Sequence, residues 1–171
     1  MAINTLQEKF IHELGDIYDA EHKFLEAQQK MQKQAASPTV QELFEKHIPE
    51  TEQQIANLEK VFEILGEKAK RVACKGATGL INEGEDLLKK TAENPLIADL
   101  AIAGANSKVE HYEISCYEGL ILGAEKMGQK EIVKLLKENL KQEQQTAKKI
   151  ADSLPKLLDE AMIEGSAAAS A

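Results

Sequence analysis

Six acidic or imidazole side chains stand where amphipathic helices would be expected to bury apolar residues. They lie near the middle of four helical patterns and are Glu21, His47, Glu50, Glu110, Glu113 and Glu143. A buried, unpaired carboxylate is strongly destabilising, so a group of them needs cations or protons close by. The same stripes hold no supply of lysine or arginine. The set therefore predicts a site for two di- or trivalent ions, and its oxygen-rich donors favour iron or manganese.

The spacing of the acids indicates that they lie at one height along the predicted helices. Glu21 precedes a predicted turn near Ala36 by about fifteen residues and Glu50 follows it by about fourteen, which is about 22 Å at the helical rise. Glu113 and Glu143 each lie about fifteen residues from a second predicted turn. Matching heights favour one shared site over separate helix-edge residues.

Two interpretations of these residues stay open at the level of sequence. In the first, the acids bind metal. In the second, the chain is a metal-free bundle whose acids reach solvent at the rim or hold protons. His47 is likewise either a ligand, one turn before Glu50 on the same face, or a packed and hydrogen-bonded histidine.

Four amphipathic helices would position these side chains. Apolar residues recur at steps of three and four, which predicts helices over 3–34 and 38–65, a third from Pro95 to near Gly128 and a fourth over 132–154. Two of the helices begin where a polar N-cap residue precedes a proline, at Ser37-Pro38 and Asn94-Pro95.

A long connector separates the second predicted helix from the third. It contains several glycines and a short amphipathic pattern from Leu80 to Leu88, which is also the candidate surface for a partner. Two helical hairpins joined by a long crossover are typical of ferritin-like bundles. We therefore predict an all-α, antiparallel four-helix bundle over 1–160, with a short extra helix in the crossover and a disordered tail over 161–171.

Composition restricts the partners and the compartment. The formal net charge of −8 repels phosphate backbones and no basic stripe offsets it, so we expect no nucleic-acid partner. No apolar run approaches the length of a membrane span, so we expect a soluble protein. Cys74 and Cys116 lack paired spacing, which favours a reducing compartment, the cytoplasm.

The segments around the acids resemble those of a known family. They are Tyr18-Asp19-Ala20-Glu21, His47-Ile48-Pro49-Glu50-Thr51 with Gln54, Lys108-Val109-Glu110-His111-Tyr112-Glu113-Ile114, and Leu135-Leu136-Lys137-Glu138 ahead of Glu143. With these segments the chain resembles the ferritin-like, rubrerythrin-related proteins, and more closely the small bacterial stress proteins of the YciE/YciF type. The resemblance implies a four-helix bundle, a homodimer, a di-metal centre and a role in the stress response.

The resemblance also implies roles for the acids. Glu21 and Glu143 look like terminal ligands of the two ions. Glu50 and either Glu110 or Glu113 look like bridging or shared ligands.

The chain departs from the ferritin-like pattern in its histidines. That pattern has Glu-x-x-His on the second and fourth helices, whereas here Gln53 and Thr146 occupy the histidine positions. His47 is the residue that could substitute for one of the missing imidazoles.

Three functions are compatible with these features. The first is a di-iron or di-manganese oxidoreductase that reacts with a small oxidant, peroxide or oxygen. The second is metal binding without turnover, such as iron sequestration. The third is a metal-free helical dimer that acts as a structural stress protein. Metal content distinguishes the third from the others, and turnover of peroxide distinguishes the first from the second.

Overall fold

The computed structural model describes residues 2–168, and the secondary structure in this range is entirely α-helical. Five helices follow one another along the chain: α1 (Leu6–Gln34), α2 (Pro38–Ile64), α3 (Lys75–Thr91), α4 (Pro95–Lys126) and α5 (Lys130–Ala168). The predicted all-α class is confirmed. No helix among the described residues is long and apolar enough to cross a membrane.

Local capping groups determine where the helices begin. α1 begins at Leu6 rather than at residue 3, because Thr5 and Glu8 form a capping box in which each side chain binds the backbone of the other. Ser37 and Asn94 accept hydrogen bonds from the first backbone amides of α2 and α4, and a proline occupies the first turn of both helices.

α5 extends into the segment 161–171 that was expected to form a disordered tail. The structure describes residues 161–168 as a continuation of this helix, and alanines such as Ala161 favour a helix. The expected boundary between the folded domain and its tail stays a prediction. Residues 169–171, the rest of the expected tail, lie outside the described residues.

The four long helices run antiparallel to their neighbours. α1 packs against α2 and α4, and α5 packs against the same two helices. Tyr18 of α1 bonds Glu59 of α2, whereas Gln28, further along α1, bonds Thr51, earlier in α2. The same reversal relates α2 to α5, where residues 57 and 50 bond residues 139 and 146 respectively.

The crossover between α2 and α4 is attached to α1. The Val72 amide donates to the Gly15 carbonyl over 2.9 Å, and the buried Asp19 accepts from the guanidinium of Arg71 and the backbone amide of Cys74. A Cβ at position 15 would lie 2.7 Å from the Val72 side chain, so glycine permits this close approach. α3 then packs against α1 and α4.

Asp99 joins α4 to the turn between α1 and α2. Its buried carboxylate accepts from the backbone amides of Ala36 and Ser37 over 2.9 and 2.6 Å. Both amides lie at the end of α1 or the start of α2, where the chain lacks intrahelical acceptors. The turn therefore takes its acceptors from a distant part of the sequence.

Apolar residues form two buried clusters. The larger includes Phe10, Leu14, Phe62, Leu120 and Leu136, and the smaller includes Val40, Phe44, Ile102, Ile150 and Leu157. Along α2 and α5 these clusters occupy opposite halves of each helix, and the segment between them carries buried polar residues. The polar site lies in that segment.

Candidate metal centre

Three helices bring four potential ligands together between the apolar clusters. His47 of α2, Glu110 and Glu113 of α4, and Glu143 of α5 each offer a ligand atom, and these atoms all lie within 4.8 Å of one another. Each residue is at most 1% exposed. We call these four residues the acid-histidine cluster. Three carboxylates and an imidazole are the donors that a borderline or hard transition-metal ion binds.

Glu21 of α1 lies beside the cluster and is also fully buried. The Tyr117 hydroxyl donates to its Oε1, and its Oε2 has no hydrogen-bond partner. Burial raises the pKa of Glu21 to about 7, and the charge of Glu110 adds to this rise. Glu21 is close enough to interact with the cluster without belonging to the group whose atoms converge within 4.8 Å.

Glu50 lies at the solvent edge of the cluster, where its side chain is 25% exposed. Its Oε2 is 3.3 Å from Nδ1 of His47 and accepts from Thr146 over 3.3 Å, while its Oε1 is 3.9 Å from Nζ of Lys149. The hydrogen bond with His47 holds the pKa of Glu50 below its usual value. The predicted role of Glu50 as a bridging ligand stays a prediction.

The His47 ring connects this edge to the buried acids. Its Nδ1 faces Glu50 and Thr146, and its Nε2 lies 3.3 Å from Oε1 of Glu110 and 3.9 Å from Oε2 of Glu143. Nε2 is within ion-pair distance but has no hydrogen-bond partner of acceptable geometry. His47 therefore lies inside the cluster, and its Nε2 faces the carboxylates.

In the absence of cations, the cluster favours protons. Burial raises the pKa of Glu113 and of Glu143 well above the usual range, and the charges of neighbouring carboxylates raise both further. Burial alone would lower the pKa of His47, but the charges of Glu110 and Glu143 and the contact with Glu50 outweigh it and raise the pKa. All three shifts reflect excess negative charge in a space from which water is excluded.

Several buried atoms of the site have no hydrogen-bond partner. They are Oε2 of Glu21, both carboxylate oxygens of Glu110, Oε2 of Glu113, Oε2 of Glu143 and Nε2 of His47. Leaving one such group unpaired costs about 1–3 kcal/mol, more if it is charged. Cations placed among these atoms would satisfy them, and the four buried carboxylates match the charge of two divalent ions. The residues present therefore fit a metal centre.

A chain of hydrogen-bonded side chains behind Glu21 was not predicted from the sequence. Asn57 donates to Asn139 over 2.8 Å, Asn139 donates to the Tyr117 hydroxyl over 3.0 Å, and Tyr117 donates to Glu21. The signal was present, since Asn139 lies one turn before Glu143 and so shares its face of α5. This chain orients the Glu21 carboxylate.

Neutral polar groups occupy the positions where histidines were expected. Thr146 is buried, and its hydroxyl lies 3.2 Å from Nδ1 of His47. Gln53 is exposed and does not reach the cluster, whereas Gln54 is buried and its amide donates to Glu143. His47 is the one imidazole that the described residues bring to this cluster.

A sizeable cavity lies away from the acid-histidine cluster. It has a volume of about 630 Å³ and lies between the end of α1, the end of α3 and the start of α4, where Met31, Leu88 and Pro95 line it. None of its lining residues belongs to the acid-histidine cluster. The cavity and the cluster of buried acids therefore lie in different parts of the protein. The buried atoms without hydrogen-bond partners, rather than the cavity, identify the candidate site.

Comparisons with known proteins give the family. The chain matches the family described as Domain of unknown function (DUF892) over residues 5–163. It is 36% identical to Protein YciF of Escherichia coli (strain K12) over 153 residues, which are 89% of this chain and 92% of the relative.

Solved structures agree with this similarity. The E. coli stress protein YciF superposes with a TM-score of 0.87 at 34% identity, over 92% of this chain and 99% of that chain. YcfI of Rhodopseudomonas palustris gives 0.85 at 36% identity, over 87% and 94% respectively. A protein of Xanthomonas campestris gives 0.74 at 19% identity, over 95% and 99%, and shares the fold alone. Since the family match spans almost the whole chain, this protein belongs to the DUF892 family.

Proposed function

We propose that this protein binds two iron or manganese ions inside a ferritin-like four-helix bundle and serves in a stress response. The proposed ligands are the acid-histidine cluster together with Glu21, with Glu50 at the solvent edge. The stress association comes from the E. coli relative, which is described as a stress protein. A homodimer and a cytoplasmic location are parts of the same proposal.

The observation that carries this proposal is the group of unpaired buried atoms. Six oxygen or nitrogen atoms of five buried residues have no hydrogen-bond partner, and four of these residues form the acid-histidine cluster. The described residues offer no lysine or arginine ion pair to Glu21, Glu110, Glu113 or Glu143, whereas Asp19, the buried acid of the crossover, has Arg71 and Lys23. If these acids served only in packing, we would expect them to have basic ion-pair partners, as Asp19 has.

The side chains would bind, orient and exchange protons. Cation binding would compete with protons for Glu113, Glu143 and His47, whose pKa values are raised, because carboxylates and neutral imidazole are the ligating species. The hydrogen bond from Tyr117 fixes Glu21, and the bond from Gln54 fixes Glu143. Glu50, partly exposed, offers the side on which an ion or a small oxidant would enter.

Bound iron or manganese would supply the change of oxidation state that reduction of peroxide or oxygen requires. The surrounding apolar clusters limit the access of water to the site. Turnover of this kind is the oxidoreductase form of the proposal, and sequestration without turnover is its alternative.

The test is metal content. Protein purified without chelator and reloaded with iron or manganese should contain about two ions per chain by plasma mass spectrometry. Glu113→Gln and Glu143→Gln keep the side-chain shape but remove a charged ligand, and both should lose ions. Glu118→Gln is the control, because Glu118 lies on the exposed face of α4, the helix that also carries Glu113.

Helical content measured by circular dichroism would show that the variants remain folded. If the reloaded wild-type protein contains no metal, the proposal is wrong. A metal-free structural protein would then be the better assignment, in line with the Rhodopseudomonas relative, which is described as a candidate structural protein. With metal present, repeated consumption of peroxide by the reduced, loaded protein separates the oxidoreductase from the sequestering form.

A further inference from the structure

Four of the proposed ligands converge, and Glu21 does not belong to that group. An imidazole and three carboxylates offer ligand atoms that all lie within 4.8 Å of one another. Glu21 stands outside that convergence. A site for one transition-metal ion can be built from three or four protein donors, as zinc sites are. The acid-histidine cluster supplies this number by itself.

Glu21 has fewer atoms to offer. Its Oε1 already accepts a hydrogen bond from Tyr117, and its Oε2 is the atom left without a partner. Tyr117 and Asn139, which stand behind it, are neutral and add no negative charge. An ion beside Glu21 must therefore draw further ligands from residues that also serve the cluster.

Shared carboxylates are within reach. Glu110 and Glu113 of the cluster are both close enough to Glu21 to act on its carboxyl group electrostatically. An ion already bound by the cluster would offset much of the negative charge of these two carboxylates. Two divalent ions at the separation of about 3.5–4 Å that is usual in two-metal sites also repel one another. The second ion is therefore attracted by less uncompensated negative charge, and the first ion repels it.

We infer that the two proposed ions bind in a fixed order and with unequal affinity. The first occupies the acid-histidine cluster, and the second occupies a position beside Glu21 that we call the Glu21 position. This inference rests on the proposed function, because it assumes that the site binds metal. Its consequence is that metal supply determines how many chains carry one ion and how many carry two.

Titration of metal-free protein with Mn²⁺ alone tests the order. Native mass spectrometry counts the ions on each chain, and the electron paramagnetic resonance signal of unbound Mn²⁺ gives the free concentration. We expect a one-ion species at intermediate Mn²⁺ and a second step at least about tenfold weaker than the first. Glu21→Gln should abolish the second step and leave the first within about threefold of wild type, whereas His47→Gln should weaken the first.

Glu118→Gln serves again as the exposed control and should show the wild-type steps. The wild-type titration decides the matter even if a variant fails to fold. Two ions that bind together, with no one-ion species at any Mn²⁺ concentration, would overturn the inference and leave the proposed function standing. The same holds if Glu21→Gln weakens the first step as much as His47→Gln does. Absence of any bound ion in the wild type, both with Mn²⁺ and in the same titration with Fe²⁺ under anaerobic conditions, would overturn the proposed function itself.

Discussion

Replacing Glu21 by glutamine in the metal-free protein tests the electrostatics of the site without relying on activity. The side chain is fully buried and its Oε1 accepts from Tyr117. Glutamine keeps the size and one acceptor oxygen but cannot ionise. The comparison therefore isolates the free energy of charging this carboxyl inside the bundle.

The sign of the pH effect follows from the difference between the pKa of Glu21 in the folded protein and its pKa in the unfolded chain. Burial raises the pKa of Glu21 from 4.5 to about 7 in the folded protein, so the folded state keeps a proton that the unfolded chain releases. Stability then falls as pH rises between these values, because the unfolded state binds fewer protons. By pH 7 the free energy of unfolding is lower by about 3 kcal/mol from this one group. For a chain of this length, that is about 6–12 °C in Tm.

Urea unfolding followed by circular dichroism, with chelator present from pH 5 to pH 8, measures this effect. Wild type and Glu21→Gln should have similar stability near pH 5, and the variant should be more stable by about 3 kcal/mol above pH 7. Glu118→Gln, a change on the exposed face, should keep the wild-type slope. Parallel pH curves for wild type and Glu21→Gln would refute the reasoning, as would a wild-type stability that rises from pH 5 to pH 7.

Three further predictions concern metal, the crossover and the turn. Mn²⁺ at one hundred times its dissociation constant should stabilise the protein by about 2.7 kcal/mol per bound ion, seen as a rise in Tm of about 5–11 °C, and acidification should reverse the gain because protons compete for the ligands. Gly15→Ala should lower the free energy of unfolding in urea by about 1–3 kcal/mol. The reason is that the new Cβ would lie 2.7 Å from the Val72 side chain and 2.9 Å from the Lys70 carbonyl. Gly104→Ala is the control; its Cβ would meet no neighbour within 4 Å, so this change should be neutral or stabilising. Asp99→Ala should lower the free energy of unfolding by about 1–3 kcal/mol, since it leaves two backbone amides without their acceptors; unchanged stability would contradict that role.

The helices could be predicted from sequence because their determinants are local. Thr5, Ser37 and Asn94 cap helices within three residues of themselves, and the apolar period covers single turns. The crossover could not be predicted to the same degree. Its attachment to α1 depends on Gly15 and Asp19 meeting residues more than fifty positions later, and no local pattern encodes such a contact.

The site could be predicted in its residue types and only partly in its arrangement. Carboxylates on the apolar faces of four helices identified the buried acids, since a period of 3.6 assigns each residue to a face. The difference between Glu50 and Glu143 could not be predicted. Glu50 lies at the solvent edge with one oxygen 3.9 Å from Nζ of Lys149, whereas the buried Glu143 accepts a hydrogen bond from Gln54. These partners come from other helices, so their effect depends on packing rather than on spacing.

The hydrogen bonds of Asp99 have a consequence for the order of folding. They join the turn between α1 and α2 to a residue 62 or 63 positions further along the chain. Closing a loop of that length carries an entropic cost that a local helical hairpin avoids. The first hairpin can therefore make these two hydrogen bonds only once α4 is in place beside it. Folding of this bundle should accordingly be slower than that of helical bundles dominated by local contacts, with the first hairpin and α4 assembling as one cooperative unit.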